Sequence, residues 1–119
     1  YFLAVEKKAA EMKIIADRAI EFKEFDIDEG LLKGRILFID GSALEFLEYL
    51  KGDTSLKYRF HYMDNDGALL FRYDNAPHHK VSTFPHHKHL PMDIIASHPP
   101  GLIDVIDEIE KIISGSYCG

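Results

Sequence analysis

The histidines of this chain are concentrated in one short stretch, Phe71–Pro91, which reads FRYDNAPHHKVSTFPHHKHLP. Within it the tetrapeptide Pro-His-His-Lys occurs twice, at Pro77–Lys80 and at Pro85–Lys88. Five of the seven histidines lie in this stretch: His78, His79, His86, His87 and His89. Because imidazole binds metal ions and transfers protons near neutral pH, the stretch is the first candidate for a functional site.

Acid–base chemistry without a metal is the interpretation that we favour for these histidines. Two imidazoles can deprotonate a ribose 2′-hydroxyl and protonate the leaving oxygen, while a cation stabilises the charge that develops on the phosphate. We predict that His87 is the base or the acid and that His79 or His89 is its counterpart. Asp74 is predicted to orient one imidazole by accepting its hydrogen bond. The predicted phosphate-binding residues are Arg72, Lys88 and Arg59.

A metal site is the main alternative for the same residues. In an extended segment His87 and His89 point to the same side, and His78 or His79 could complete three ligands with an open fourth position. The alternative ligand set is His78, His87 and His89, with zinc or another divalent metal as the cofactor. No standard spacing such as HExxH is present. A binding loop without chemistry and a purely structural loop are the remaining interpretations.

Composition and charge limit the classes to which the chain can belong. Its 119 residues and apolar fraction of 46% fit a single domain over residues 1–119. The net charge of −6 argues against a nucleic-acid coat protein, but His78 to His89 contains two lysines and no acid. The single cysteine, Cys118, excludes a disulfide framework. Since no long apolar run or signal-peptide pattern is present, we expect a cytoplasmic protein without membrane contact.

Hydrophobic periodicity predicts an α+β fold. Apolar residues at three- and four-residue steps predict helices over 3–22 and 102–113. Four further runs, separated by turn sequences such as DG and DNDG, predict strands over 31–39, 42–50, 56–63 and 68–73. Residues 25–30 are a strand or a turn, and a helical turn is the alternative for 42–50. We predict one antiparallel sheet of four to five strands in meander order, with the N- and C-terminal helices packed on one face. Residues 75–100 are predicted to be a long connection.

Strand alternation divides the predicted sheet into two faces. One face is apolar and should form the core; it carries Tyr58, Phe60, Tyr62, Leu69, Phe71, Ile36 and Phe38. The other is rich in cations; it carries Lys57, Arg59, His61, Lys33, Arg35, Glu45, Arg72 and Asp74. This second face is either an ordinary solvated surface or a docking surface for an anionic ligand or protein.

The blocks DNAPHH and FPHHKH, preceded by YRFHYMDNDG, resemble the signature of the TumE-like toxin family. The resemblance extends over residues 34–113, and it departs from the family pattern at ASHPPGLIDV, where acids are expected before the last helix. It implies a small cytoplasmic toxin that is neutralised by an antitoxin, often a helix-turn-helix protein, with RNA or the translation apparatus as the usual target class. The matching positions are Arg72, Asp74, Asn75, His78, His79, His86, His87 and His89. Among them, Asn75, His78 and His86 are expected to support the site.

We therefore predict the toxin component of a toxin–antitoxin module that acts on RNA through histidine acid–base chemistry, without a metal. A non-catalytic binding module, using the histidine-rich loop and the cationic sheet face, is the alternative from another class. A metal-dependent hydrolase is the third hypothesis. A homodimer is compatible with this interpretation.

Overall fold

The computed structural model describes residues 2–115 and contains a helix, seven strands and a second helix. The elements are α1 (Phe2–Glu11), β1 (Ile15–Asp26), β2 (Glu29–Phe38), β3 (Ala43–Lys51), β4 (Thr54–Met63), β5 (Leu69–Asp74), β6 (His87–Leu90), β7 (Asp93–Ala96) and α2 (Leu102–Ile113). Neither helix in this part of the chain is long and apolar enough to cross a membrane. Cys118 lies outside the described residues.

The seven strands form one antiparallel sheet in which each strand lies beside the next one in the chain. Gly41 and Gly67 occupy the predicted DG and DNDG turns with φ of 87° and 84°, a conformation that favours glycine. The α+β class, the antiparallel meander and the two terminal helices are confirmed. The predicted number of four to five strands is wrong, because β1 extends the sheet on one side and β6 and β7 extend it on the other.

The first helix is shorter than the predicted range of 3–22. It ends at Glu11, and the rest of the range belongs mostly to β1, which is paired with β2 along its length. The segment fits both periods, since Ile20 and Phe22 also alternate with Glu21 in the manner of a strand. Pairing with β2 overrides the helical propensity of the alanines and charged residues. The FDIDEG segment forms the turn between these two strands and their adjoining ends.

The predicted connection over 75–100 contains two more strands. β6 pairs with β5, and β7 pairs with β6, so the histidines of β6 are part of the sheet. Strands of four residues are too short to show an alternation that periodicity can detect, and prolines lie close to both. The segment over 42–50 is a strand and not a helical turn, and the last helix has the predicted bounds.

Both helices pack on one face of the sheet, which we call the helix face. Val5 of α1 and Ile106 of α2 are fully buried in the same cluster as Phe60 of β4. The predicted stripe of the last helix is buried at Leu102, Val105, Ile106 and Ile109, and partly buried at Ile113. The predicted core strand residues are also buried, with Leu69 only partly so: Ile36, Phe38, Tyr58, Phe60, Tyr62 and Phe71.

A polar contact beneath α2 joins this helix to the sheet. The Lys88 ammonium lies 2.9 Å from Glu108 Oε2, and the Tyr73 hydroxyl donates to Glu108 Oε1 at 2.6 Å. The same ammonium lies 4.7 Å from the centroid of the Tyr73 ring. Burial acts to lower the pKa of Lys88, but its bonds to Tyr73 and Glu108 raise that pKa on balance, so Lys88 is a charged part of the helix packing.

We expect Phe60→Ala to lower the free energy of unfolding by about 3–5 kcal/mol, because it removes a fully buried ring from the centre of the core. Phe25→Ala is the matched control, since this ring is 56% exposed near the end of β1. Chemical denaturation curves of both variants measure the difference. A loss below about 1 kcal/mol for Phe60→Ala would show that the helix face is not the core.

We expect Glu108→Gln to lower the free energy of unfolding by about 1–3 kcal/mol, because it leaves the largely buried ammonium of Lys88 without its carboxylate. Asp107→Asn makes the same charge change one position earlier in α2, where the pair with Lys8 is more exposed, and should cost less than about 1 kcal/mol. Equal losses for the two variants in denaturation experiments would contradict a special role for the contact beneath α2.

Candidate active site

The register of three neighbouring strands assembles the predicted site residues on the sheet face opposite the helices, which we call the open face. Asp74 of β5 lies between Arg59 of β4 and His87 of β6. In the next row, Arg72 pairs with His89 of β6 and, on its other side, with a histidine of β4. Since neighbouring strands are about 4.8 Å apart, the side chains of these rows are in direct reach of one another.

Asp74 and His87 form a buried contact at the centre of this arrangement. The side chain of His87 is 1% exposed, and its Nε2 lies 2.8 Å from Asp74 Oδ1. Its other nitrogen, Nδ1, lies 2.8 Å from the carbonyl oxygen of Pro85. A carbonyl can only accept a hydrogen bond, so Nδ1 carries a proton, and the orientation of the ring is determined at both ends.

His89 brings a second imidazole nitrogen to the same point. Its Nε2 lies 2.9 Å from His87 Nε2 and 3.4 Å from Asp74 Oδ2. Burial lowers the pKa of His89, and nearby His87, Arg72 and His79 lower it further, while Asp74 opposes the shift. The net direction is downward, which keeps this imidazole neutral at physiological pH.

His79 completes the cluster from the loop over residues 75–86. Its ring centroid lies 5.0 Å from that of His87 and 5.2 Å from that of His89. One nitrogen from each of the three histidines lies within 4.8 Å of the others. His79, His87, His89 and the Asp74 carboxylate are named here the histidine cluster.

The loop that carries His79 is attached to the sheet at its first residues. The Asn75 side chain accepts a hydrogen bond from the Tyr58 amide at 3.1 Å and donates one to the Leu56 carbonyl at 3.0 Å. The Ala76 amide donates to Asp74 Oδ1 at 3.0 Å. Asn75 therefore fixes the start of this loop to β4 and does not face the cluster itself.

The second half of the same loop is held by a threonine that the sequence interpretation did not single out. The Thr83 hydroxyl donates to the His86 carbonyl at 2.6 Å and accepts from the Ser97 amide at 2.8 Å. These two contacts hold the neighbouring Pro85 beside the sheet. Its carbonyl oxygen can then accept the hydrogen bond from His87 Nδ1. The sequence offers no signal for this role, because it depends on tertiary contacts between segments 14 residues apart.

Two of the predicted site histidines lie apart from the cluster. His86 stacks on Tyr58, with ring centroids 5.8 Å apart, and its Nδ1 lies 2.8 Å from the Tyr58 hydroxyl. Burial, together with the charge of Asp74, raises the pKa of Tyr58, so the hydroxyl stays protonated and donates this bond. His78 is exposed, and His79 takes the place in the cluster that the alternative metal set assigned to His78.

The predicted phosphate-binding residues are divided between the two faces. Arg59 is exposed on the open face beside Asp74. Arg72 lies on the same face, and its Nε donates to His61 Nδ1 at 3.1 Å. Lys88, in contrast, points to the helix face and pairs with Glu108, because it lies between two residues that point to the open face.

His61 therefore has a positioning role that the sequence interpretation did not assign to it. To accept the bond from Arg72, its Nδ1 must be unprotonated. Burial lowers the pKa of His61 and the charge of Arg72 lowers it further, which favours the neutral ring. The sequence did indicate the face on which His61 lies, because polar and aromatic residues alternate along β4 and this alternation places His61 beside Arg59.

A groove of about 530 Å³ crosses the open face next to the row that contains Arg59. It is lined by Ala19, Ile20, Glu21, Lys33, Gly34, Arg35, Glu45, Phe46, Leu47 and Arg59. Gly34 permits the close approach of β1, since a side chain there would meet the carbonyl oxygen of Ala19 at 2.3 Å. The groove therefore brings cations and a shallow apolar surface to within one strand of Asp74.

A family model described as Toxin TumE matches residues 5–117 of the 119 in the chain. No curated protein and no solved structure is significantly similar to the chain. The match includes α1 from Val5 onward, the whole sheet and every residue of the histidine cluster, and it agrees with the resemblance of the DNAPHH and FPHHKH blocks. The chain therefore belongs to the Toxin TumE family.

Proposed function

We propose that this toxin binds single-stranded RNA on its open face and cleaves it at the histidine cluster. The observation that carries the proposal is the common face: the register places Arg59 directly beside Asp74 and Arg72 directly beside His89. A phosphate held by these guanidinium groups would lie next to the imidazoles. Such a combination of cations and imidazoles suits a reaction at phosphorus.

The open face supplies a binding surface despite the net charge of −6. Arg35 and Lys33 continue the cationic surface from Arg59 along the groove, although Glu45 and Glu21 partly compensate them. Arginine suits phosphate because its planar fork can donate two parallel hydrogen bonds. This distribution fits a protein that holds a few phosphates near a reaction centre, and not one that coats nucleic acid.

The burial of the cluster divides the histidines into two roles. His87 is too buried to touch RNA, which argues against the prediction that it is itself the base or the acid. It orients its neighbours through Asp74. His89 and His79 are partly exposed and can reach a substrate, so they are the proposed catalytic residues.

The proposed reaction is transfer within the RNA strand. The ribose 2′-oxygen attacks the adjacent phosphorus, and its proton passes to one partly exposed imidazole. The bond from phosphorus to the 5′-oxygen breaks, and that oxygen receives a proton from the second imidazole. Arg72 stabilises the charge on the phosphate, and the products are a cyclic phosphate and a 5′-hydroxyl end.

A toxin of this family implies an antitoxin partner. We propose that the antitoxin is a helix-turn-helix protein and that it neutralises the toxin by covering the open face. An acidic surface on the antitoxin would match Arg59 and the cations of the groove, so the partner and RNA would compete for the same residues.

In cells that lack the antitoxin, we expect His79→Ala and His89→Ala to abolish growth arrest and to lower RNA cleavage by the purified protein at least about 100-fold. This is the loss expected when a general acid or base is removed. His78→Ala and His98→Ala are matched controls, because both side chains are exposed outside the cluster. Growth curves and product analysis on a short RNA provide the measurements.

Full toxicity and full RNA cleavage in both cluster variants, with normal folding, would refute the proposed reaction centre. If both variants stay toxic while a charge reversal on the open face abolishes toxicity, the toxin acts by binding alone. That outcome would support the alternative of a non-catalytic binding module.

We expect Arg59→Glu to weaken binding to single-stranded RNA by roughly tenfold or more and to reduce the salt dependence by about one phosphate contact. Arg59 is exposed, so folding should not change. Lys7→Glu makes the same change of net charge on an exposed position of α1 and should leave affinity unchanged. Equal affinities of the two variants in fluorescence anisotropy titrations would reduce the open face to ordinary solvated surface.

A further inference from the structure

The hydrogen bonds of the histidine cluster do not by themselves determine where its protons lie. His87 Nδ1 carries a proton for the Pro85 carbonyl, so a neutral His87 has an unprotonated Nε2. That nitrogen faces Asp74 Oδ1 at 2.8 Å and His89 Nε2 at 2.9 Å. An unprotonated His87 Nε2 and the Asp74 carboxylate repel each other at this distance, so a proton or a metal ion must lie between them. His89 Nε2 can carry its own proton or bind the same ion.

A proton shared by Asp74 and His87 is one possibility, and a metal ion bound by the histidines is the other. From these groups we infer that His79, His87 and His89 form a site for one divalent transition-metal ion, with zinc as the ion that fits best. Three imidazoles without a thiolate suit zinc and the neighbouring late first-row metals. The buried carboxylate of Asp74 compensates part of the charge of the ion.

The observed distances are close to those that such an ion needs. Zinc binds imidazole nitrogen at about 2.0–2.1 Å in tetrahedral geometry, which places two ligand nitrogens roughly 3.4 Å apart. The Nε2 atoms of His87 and His89 are 2.9 Å apart and must separate by a few tenths of an ångström. His79, whose ligand nitrogen lies within 4.8 Å of both, must move closer, and its place in a loop permits this.

The outer contacts of the cluster also match a metal site. A metal-bound imidazole usually donates its other N–H to a carbonyl or a carboxylate, which sets the tautomer and the ring orientation. His87 makes this contact with the Pro85 carbonyl. His78 and His86 do not enter the site, so one histidine of each Pro-His-His-Lys motif faces it.

The metal site is inferred from the geometry of the cluster. Only its role in catalysis rests on the proposed function, RNA cleavage. A bound zinc ion would lower the pKa of its water. With the ion bound, this water would take over the proton transfers proposed above for His79 and His89, because an imidazole nitrogen that holds the ion cannot also exchange a proton. Three protein ligands leave a fourth position open on the side of the partly exposed residues His79 and His89. Arg72, next to His89, would then contact the phosphate presented to that position.

Metal binding can be measured on the protein alone, without RNA. The chain is produced without a polyhistidine tag, treated with chelator and titrated with Co²⁺, followed by displacement with Zn²⁺. We expect one equivalent to bind, with the intense visible absorption of tetrahedral Co²⁺. His79→Ala and His89→Ala should each weaken binding at least about tenfold, while His78→Ala and His98→Ala should not change it.

Absence of saturable binding at one equivalent would overturn the inference, because a proton would then occupy the contact between Asp74 and His87. Binding that is unaffected by His79→Ala and His89→Ala, or equally weakened by His78→Ala, would also overturn it, because the ion would be adventitious. RNA cleavage without metal binding would leave the proposed function intact. Metal binding without RNA cleavage would support the site and refute the function.

Discussion

The structure depends on one electrostatic constraint: the Asp74 carboxylate and Nε2 of His87 meet at hydrogen-bond distance, so a proton or a metal ion must lie between them. Asp74 and His87 are both almost fully buried, so bulk water cannot screen the repulsion between their lone pairs. The antiparallel register of β5 and β6 imposes the meeting, because it aligns Asp74 with His87 and the next row brings His89. A sheet that ended at β5, as the sequence predicted, would provide no such site.

Strand alternation explains why the motif contains pairs of histidines. In β6 and the residue before it, successive side chains point to opposite faces. His86 stacks on Tyr58, His87 enters the cluster, and Lys88 turns back to Glu108 beneath α2. One short segment therefore anchors the helix face and builds the site on the open face. Changes at Lys88 should affect packing more than chemistry, although it adjoins two cluster residues.

Much of the fold was predictable from local patterns, and what was missed has physical causes. β2 to β5 alternate clearly, and the apolar stripe of α2 has the period of a helix, so both were assigned correctly. β1 fits the helical period as well as the strand period, and only its pairing with β2 decides between them. At the site, the alternation of side chains along a strand correctly predicted that His87 and His89 share a face. The same alternation places Lys88 on the opposite face. The choice of His79 over His78 depends on an irregular loop, whose course follows from Asn75 and Thr83 contacts that no local pattern shows.

The most direct test is the location of zinc in crystals of the protein, determined from anomalous diffraction at the zinc absorption edge. The account predicts one strong peak about 2.0–2.1 Å from His87 Nε2, His89 Nε2 and a ring nitrogen of His79, with Asp74 beside it. It is contradicted if zinc is found only at exposed residues such as His78 or His98, or if no peak lies among the three cluster histidines while they keep their hydrogen-bonded positions.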